Sequence, residues 1–125
     1  MNSDDLNIAI VGATGAAGGT AIDLLLERKH PAGKITAMAS ERSTGRKIPY
    51  GDAELTVIKA TADAFDGIDV ALFAAGGLVS RRLARKAVER GVFVIDKGSI
   101  FRMDPSIPLV VPEVNGGDID WHTGI

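Results

Sequence analysis

The sequence contains no cysteine, which excludes disulfides, thiolate-rich metal sites and a cysteine nucleophile from these 125 residues. It has no basic excess. Fourteen Lys and Arg stand against sixteen Asp and Glu, for a net charge of -2, so nothing in the charge balance suggests nucleic acid or an anionic membrane surface as a partner. Long hydrophobic runs are missing, and with them a membrane span. The start, Met1-Asn-Ser-Asp-Asp5, is polar and acidic, unlike the basic start of a signal peptide, so a cytoplasmic location is expected. Internal repeats, low-complexity segments and linkers are also lacking. The length suits one domain with one core.

Within that frame the chain alternates strand and helix patterns. Asn7-Ile-Ala-Ile-Val11 is a short apolar run rich in β-branched residues. Thr20 to Lys29 reads as a helix with Ala21, Ile22, Leu25 and Leu26 on one side, ended by His30-Pro-Ala-Gly33. Lys34-Ile-Thr-Ala-Met38 is a second strand, which completes a βαβ unit. A polar loop, Ser40 to Gly45, precedes a strand at Leu55-Thr-Val-Ile58. A further strand is read at Asp69-Val-Ala-Leu-Phe-Ala74. Ser80 to Arg90 reads as a helix with Leu83, Ala84, Ala87 and Val88 inward. Its six charges form a solvated face on which Arg85 and Glu89 are spaced as a pair. Val92-Phe-Val-Ile95 and Leu109-Val-Val111 read as two more strands. The expected fold is α/β and Rossmann-like, a mostly parallel sheet with helices on both faces.

Gly12-x-x-Gly15-x-x-Gly18 lies between the first strand and the first helix. In that context Gly12 permits a tight turn, Gly15 lets backbone approach a pyrophosphate, and Gly18 lets the helix lie close to the strand. The amides opening the helix carry partial positive charge toward a phosphate. The same glycines would also serve a tight turn in an empty α/β domain. The second strand ends Met38-Ala39-Ser40, without the acid that usually takes the ribose hydroxyls of NAD. Ser40, Arg42 and Ser43 offer a guanidinium and two hydroxyls, the groups a 2′-phosphate needs, which favours NADP. Glu41 could instead swing toward a ribose, and Glu41 with Arg42 could be a solvated loop pair.

Taken together, these pieces resemble one family along nearly the whole chain. Gly12-Ala-Thr-Gly-Ala-Ala-Gly18, Ala39-Ser-Glu-Arg-Ser-Thr-Gly45, Asp69-Val-Ala-Leu-Phe-Ala-Ala-Gly-Gly77, Ala87-Val-Glu-Arg-Gly91, Val94-Ile-Asp96, Ser99-Ile-Phe-Arg-Met-Asp104 and Leu109-Val-Val-Pro-Glu-Val-Asn115 are similar, in order and spacing, to the N-terminal domain of aspartate-semialdehyde dehydrogenase. The resemblance implies roles. Thr14, Gly15, Ala16 and Ala17 sit where the family holds the NADP phosphates. Arg42 and Ser43 match its 2′-phosphate contacts. Ala75, Gly76 and Gly77 match a loop beside the cofactor ribose. Arg102 matches the arginine that holds the phosphate of the acyl-phosphate substrate, although an arginine there could also cap a loop. The implied reaction is reductive dephosphorylation of aspartyl phosphate to aspartate semialdehyde with NADPH, releasing phosphate, in a homodimer. It serves lysine, threonine and methionine synthesis.

Departures bear on that reading. The family commonly has Asp-Asn-Ser-Ser-Ala-Phe-Arg where this chain has Asp96-Lys-Gly-Ser-Ile-Phe-Arg102, and Ala17 replaces a usual valine. The family's nucleophilic cysteine follows the stretch resembling Asp118 to Ile125, and its catalytic histidine lies far beyond. His30 and His122 do not match that histidine and read as surface residues. Residues 1–125 are therefore expected to be a dinucleotide-binding domain alone, without the catalytic and dimerisation domain, and inactive by themselves. Alternatives are a relative of N-acetyl-glutamyl-phosphate reductase and a free-standing NADP-binding module without a reaction.

Overall fold

The computed structural model describes residues 5–125, so the acidic opening residues 1–4 lie outside the described residues. Strand β1 (Ile8–Val11) leads through the glycine loop into helix α1 (Ala16–Glu27) and back to β2 (Ile35–Ala39). Next come β3 (Lys47–Tyr50), β4 (Ala53–Thr56), the two-residue β5 (Ile58–Lys59) and β6 (Val70–Phe73). Helix α2 (Gly77–Glu89), β7 (Phe93–Asp96) and the single turn α3 (Pro112–Asn115) complete the chain.

Five strands form one parallel sheet in the order β5-β2-β1-β6-β7. The chain goes outward from β1 on one side, then restarts with β6 on the other. The order therefore reverses between β1 and β6, and α/β sheets bind ligands beyond the carboxyl ends of the strands at such a point. Alternation along each strand divides the core into two faces. Ala9, Val11, Ala71 and Phe73 point toward α2 with Leu83, Ala84 and Ala87, and the stacked Phe65–Phe73 pair, 5.8 Å between centroids, fills this side. Ile10, Ile35, Ala37 and Ala39 point the other way, toward Ile22 of α1. The expected architecture, parallel with a helix on each face, is the one observed.

Five details differ from the sequence reading. Both helices begin earlier than hydrophobic periodicity indicates, at Ala16 and Gly77, because their first turns are built from glycine-bearing loops. Leu26, placed inward with Leu25, is exposed, as is Leu24, and only Ile22 and Gly18 of α1 are fully buried.

The strand expected at Leu55–Ile58 is two. β4 pairs antiparallel with β3, and β5 pairs parallel with β2. Val57 at the corner is fully buried, with its amide on the Arg46 carbonyl and its own carbonyl accepting from the Gly45 amide. The β3–β4 hairpin turns at Gly51, φ 60°, and adds Tyr50 and Leu55 to the α1 face.

The strand expected at Leu109–Val111 is absent. Prolines flank it at 108 and 112. The Asn115 side chain takes its polar groups, accepting from the Val111 amide at 2.7 Å and donating to the Leu109 carbonyl at 2.7 Å. The open edge at β7 is met instead by Gly124, whose carbonyl accepts from the Val94 amide.

Neither histidine is a plain surface residue. His30 is buried, with Nε2 against the Leu6 carbonyl at 3.0 Å, and its own carbonyl accepts the Tyr50 hydroxyl, whose pKa burial pushes up. His122 is half-buried in a T-shaped contact with the Phe93 ring, and its Nδ1 accepts from the Gly124 amide at 2.9 Å. No helix among the described residues is long and apolar enough to cross a membrane.

Candidate functional site

A cleft of about 550 Å³ opens at the carboxyl ends of β1, β2, β5 and β6, where the strand order reverses. The residues that build it follow from backbone demands. Gly12 leaves β1 with φ +92°, and its amide and that of Ala13 both donate to the Met38 carbonyl, at 2.9 and 3.0 Å. A Cβ on Gly12 would stand 2.5 Å from the Ala74 carbonyl oxygen of the strand exit opposite. A Cβ on Gly18 would stand 2.1 Å from the Gly12 carbonyl oxygen, so Gly18 seats α1 directly on the loop. Gly15 differs from both. Its φ is -86°, and the nearest atom a Cβ would meet is 3.5 Å away, so its free side faces the cleft and not protein.

Gly15 caps helix α1 without a side-chain hydrogen bond, its own amide donating to the Gly12 carbonyl at 3.0 Å, and the next amide to reach a carbonyl is that of Gly19, on Gly15 at 2.9 Å. The amides of Ala16, Ala17 and Gly18 are thereby left for a ligand, a ready anion seat. Helix α2 also starts uncapped, at Gly76 with φ 89°, beside the Ala74-Ala75 exit from β6. Two helix N-termini and the glycine loop thus meet at one end of the sheet. Glycines at 12 and 18, where a Cβ would strike backbone, flank an open Gly15 and leave a cradle beside the cleft.

Of the residues singled out in the sequence, Gly12, Thr14, Gly15, Ser40 and Ala75 line the cleft. Ala16 and Ala17 are exposed at the α1 N-terminus, Gly18 is buried under it, and Gly76 and Gly77 open α2. Arg42 and Ser43 belong to the same 3-10 turn as Glu41, at the rim, and only Glu41 of that turn lines the cleft. Two cations that sequence reasoning left aside also line it, Lys59 at the end of β5 and Arg82 on α2. The signal for Lys59 is its place just after an apolar strand, at the carboxyl edge where α/β folds bind ligands. In sequence Arg82 belongs to the charged face of its helix and reads as solvated.

Arg102 lies elsewhere. It lines a second, mostly apolar cavity of about 310 Å³ outside β7, with Asp96, Lys97, Phe101 and Ile107 among its walls. The turn carrying Arg102 is pinned to α2. Arg85 sits 5.7 Å over the Phe101 ring and 3.8 Å from Asp104, which replaces the Arg85–Glu89 pair expected from spacing. The Ser106 hydroxyl and amide, and then the charge of Arg85, hold the Asp104 carboxyl below its usual range. Asp96 gives one oxygen to the Gly98 amide at 2.6 Å, and its other oxygen is buried without a partner. No cluster of His, Cys, Asp and Glu suited to a metal occurs among the described residues.

Residues 7–122 match the family model described as semialdehyde dehydrogenase, NAD binding domain. The chain is 48% identical over 120 residues to aspartate-semialdehyde dehydrogenase of Bacillus subtilis, covering 96% of this chain and 35% of that protein. Among solved structures, aspartate semialdehyde dehydrogenase II of Vibrio cholerae, complexed with ASA, superposes with a TM-score of 0.86 at 43% identity, over 92% of this chain and 38% of that one. The enzyme of Candida albicans, solved with NADP, superposes with a TM-score of 0.73 at 28% identity, over 93% and 36%. The chain thus spans about a third of the length of the curated relatives it matches.

Proposed function

The chain belongs to the semialdehyde dehydrogenase NAD-binding domain family, and from that premise we propose that it is the NADP-binding part of an aspartate-semialdehyde dehydrogenase. The whole enzyme would reduce aspartyl phosphate to aspartate semialdehyde and release phosphate, as a homodimer. The observation that carries the reading is the glycine cradle. Gly12 and Gly18 close the loop against backbone, while Gly15 and the amides of Ala16 and Ala17 stay open at the reversal of strand order.

In this reading the α1 amides hold the cofactor diphosphate, and Thr14 borders it. Ala75, Gly76 and Gly77 stand beside the ribose, and Ser40, Arg42 and Ser43 meet the 2′-phosphate. Bound NADPH supplies hydride. Arg102, in its separate cavity, holds the substrate phosphate, and its guanidinium has no ion pair among the described residues that would assign it a structural task. These 125 residues contain no cysteine, so the thiolate that carries the acyl group would come from outside them.

Calorimetric titration of NADP+ and NAD+ tests the cofactor. NADP+ should bind the wild type more tightly, and Arg42→Ala should lower the preference by roughly tenfold, the low end for a charge-assisted contact. Equal affinities in the wild type would refute the choice of NADP. For Arg102, Arg102→Ala in the full-length enzyme should raise KM for the acyl phosphate and lower turnover. The melting temperature should stay within ~2 °C, since an exposed side chain outside any network contributes within about 0.5 kcal/mol. A large loss of stability with unchanged kinetics would make the residue structural.

A further inference from the structure

We propose that Lys59 is a specificity-determining residue of the cofactor cleft, exchanging Glu41 for the 2′-phosphate when the cofactor enters. The inference rests on the dinucleotide reading of that cleft and goes beyond it, because neither the glycine pattern nor the Ser40–Ser43 turn points to β5. Ala39 and Lys59 are partners in the β2–β5 register. Neighbouring parallel strands stand about 4.8 Å apart, so Lys59 sits one strand over from the end of β2, where NAD and NADP are told apart.

The Lys59 ammonium lies 3.9 Å from a Glu41 carboxylate oxygen, and both side chains line the cleft. They are also open to water, at 54% and 84% exposure, so the pair is loose and easily broken. Among the described residues Glu41 is the one acid lining the cleft, near the place where an NAD enzyme keeps its ribose-binding carboxylate. Held by Lys59, it is drawn toward β5. A phosphate monoester carries roughly -1.5 to -2 charge near neutral pH, against -1 for a carboxylate, so the phosphate is the better partner for the ammonium. Lys59 thus acts twice in favour of NADP, by attracting the phosphate and by occupying the acid that would otherwise serve NAD.

The test is calorimetric titration of NADP+ and NAD+ into the 125-residue chain and its Lys59→Ala, Lys59→Arg, Glu41→Gln and Arg82→Ala variants. Lys59→Ala should reduce the NADP+/NAD+ affinity ratio by roughly tenfold, and Lys59→Arg should retain it. Glu41→Gln should tighten NADP+ by about two- to threefold, because the competing carboxylate is gone. An unchanged ratio in Lys59→Ala, or weaker NADP+ binding by Glu41→Gln, overturns the inference while leaving the cleft a dinucleotide site. So does an equal loss of ratio in Arg82→Ala, which would make selectivity a matter of total cleft charge. If the wild type binds neither cofactor, the dinucleotide reading falls and the inference with it.

Discussion

Offered NADP+, aspartate semialdehyde and phosphate, the 125-residue chain is expected to form no NADPH above a blank. The reaction proposed for the whole enzyme passes the acyl group through a thioester, and a thioester needs a thiolate. The sequence has no cysteine, and its two histidines are committed elsewhere. His30 is buried on the Leu6 carbonyl, and His122 packs on Phe93 with Nδ1 on the Gly124 amide. What remains is cofactor binding, and the nucleophile and orientation it lacks account for many orders of magnitude of rate. Turnover above the blank, proportional to protein and surviving repurification, would show that the chain carries a nucleophile of its own and that the division of labour proposed here is wrong.

The second large effect concerns the loop. Gly18→Ala is expected to destabilise the domain by about 3 kcal/mol or more, lowering the melting temperature by roughly 10–15 °C. The new methyl would stand 2.1 Å from the Gly12 carbonyl oxygen and 3.0 Å from the Ala13 Cα, and both obstacles are backbone that cannot rotate away. α1 would have to lift off the loop, uncovering Ile22 and the Ile10 face of the core. Gly15→Ala is the contrasting case. With φ at -86° and nothing nearer than 3.5 Å, alanine fits the fold. It should melt within ~2 °C of wild type, yet it places a methyl where the diphosphate would lie and should weaken cofactor binding by roughly tenfold or more. Thermal melts and titrations of the two variants separate packing from binding. A Gly18→Ala protein that melts like wild type would contradict the packing argument, and full-affinity binding by Gly15→Ala would contradict the cradle.

That contrast also explains why the glycine loop was legible in the sequence. A glycine at a backbone contact is required by geometry wherever the motif occurs, so strand, spacing and helix suffice to read it. The parallel strands were legible for a similar reason, since strands buried on both faces must be apolar throughout. The hairpin was not. Pro49 disguises β3, and the run Leu55–Ile58 is continuous although its two halves serve different sheets, with the corner at Val57 fixed only by bonds to Gly45 and Arg46. The segment Leu109–Val111 has strand composition, but whether such a run pairs depends on its neighbours, and here the Asn115 amide takes the place of a strand. Charged residues were the least legible. Lys59 and Arg82 at the cleft look in sequence like Lys86 and Arg81 in solvent, and Arg85 found Asp104 and Phe101, not Glu89. Only the fold decides which long cationic side chain has something to face.

On the proposed function, this chain holds NADP across the reversal of strand order, with its diphosphate on the start of α1. The most direct test is a crystal structure of the chain with NADP+ at saturating concentration. The expected result places the diphosphate on the amides of Ala16 and Ala17 beside Gly15, with the 2′-phosphate between the Ser40–Ser43 turn and Lys59. Nucleotide seated instead in the cavity beside Arg102, or none bound at either place, would contradict the account.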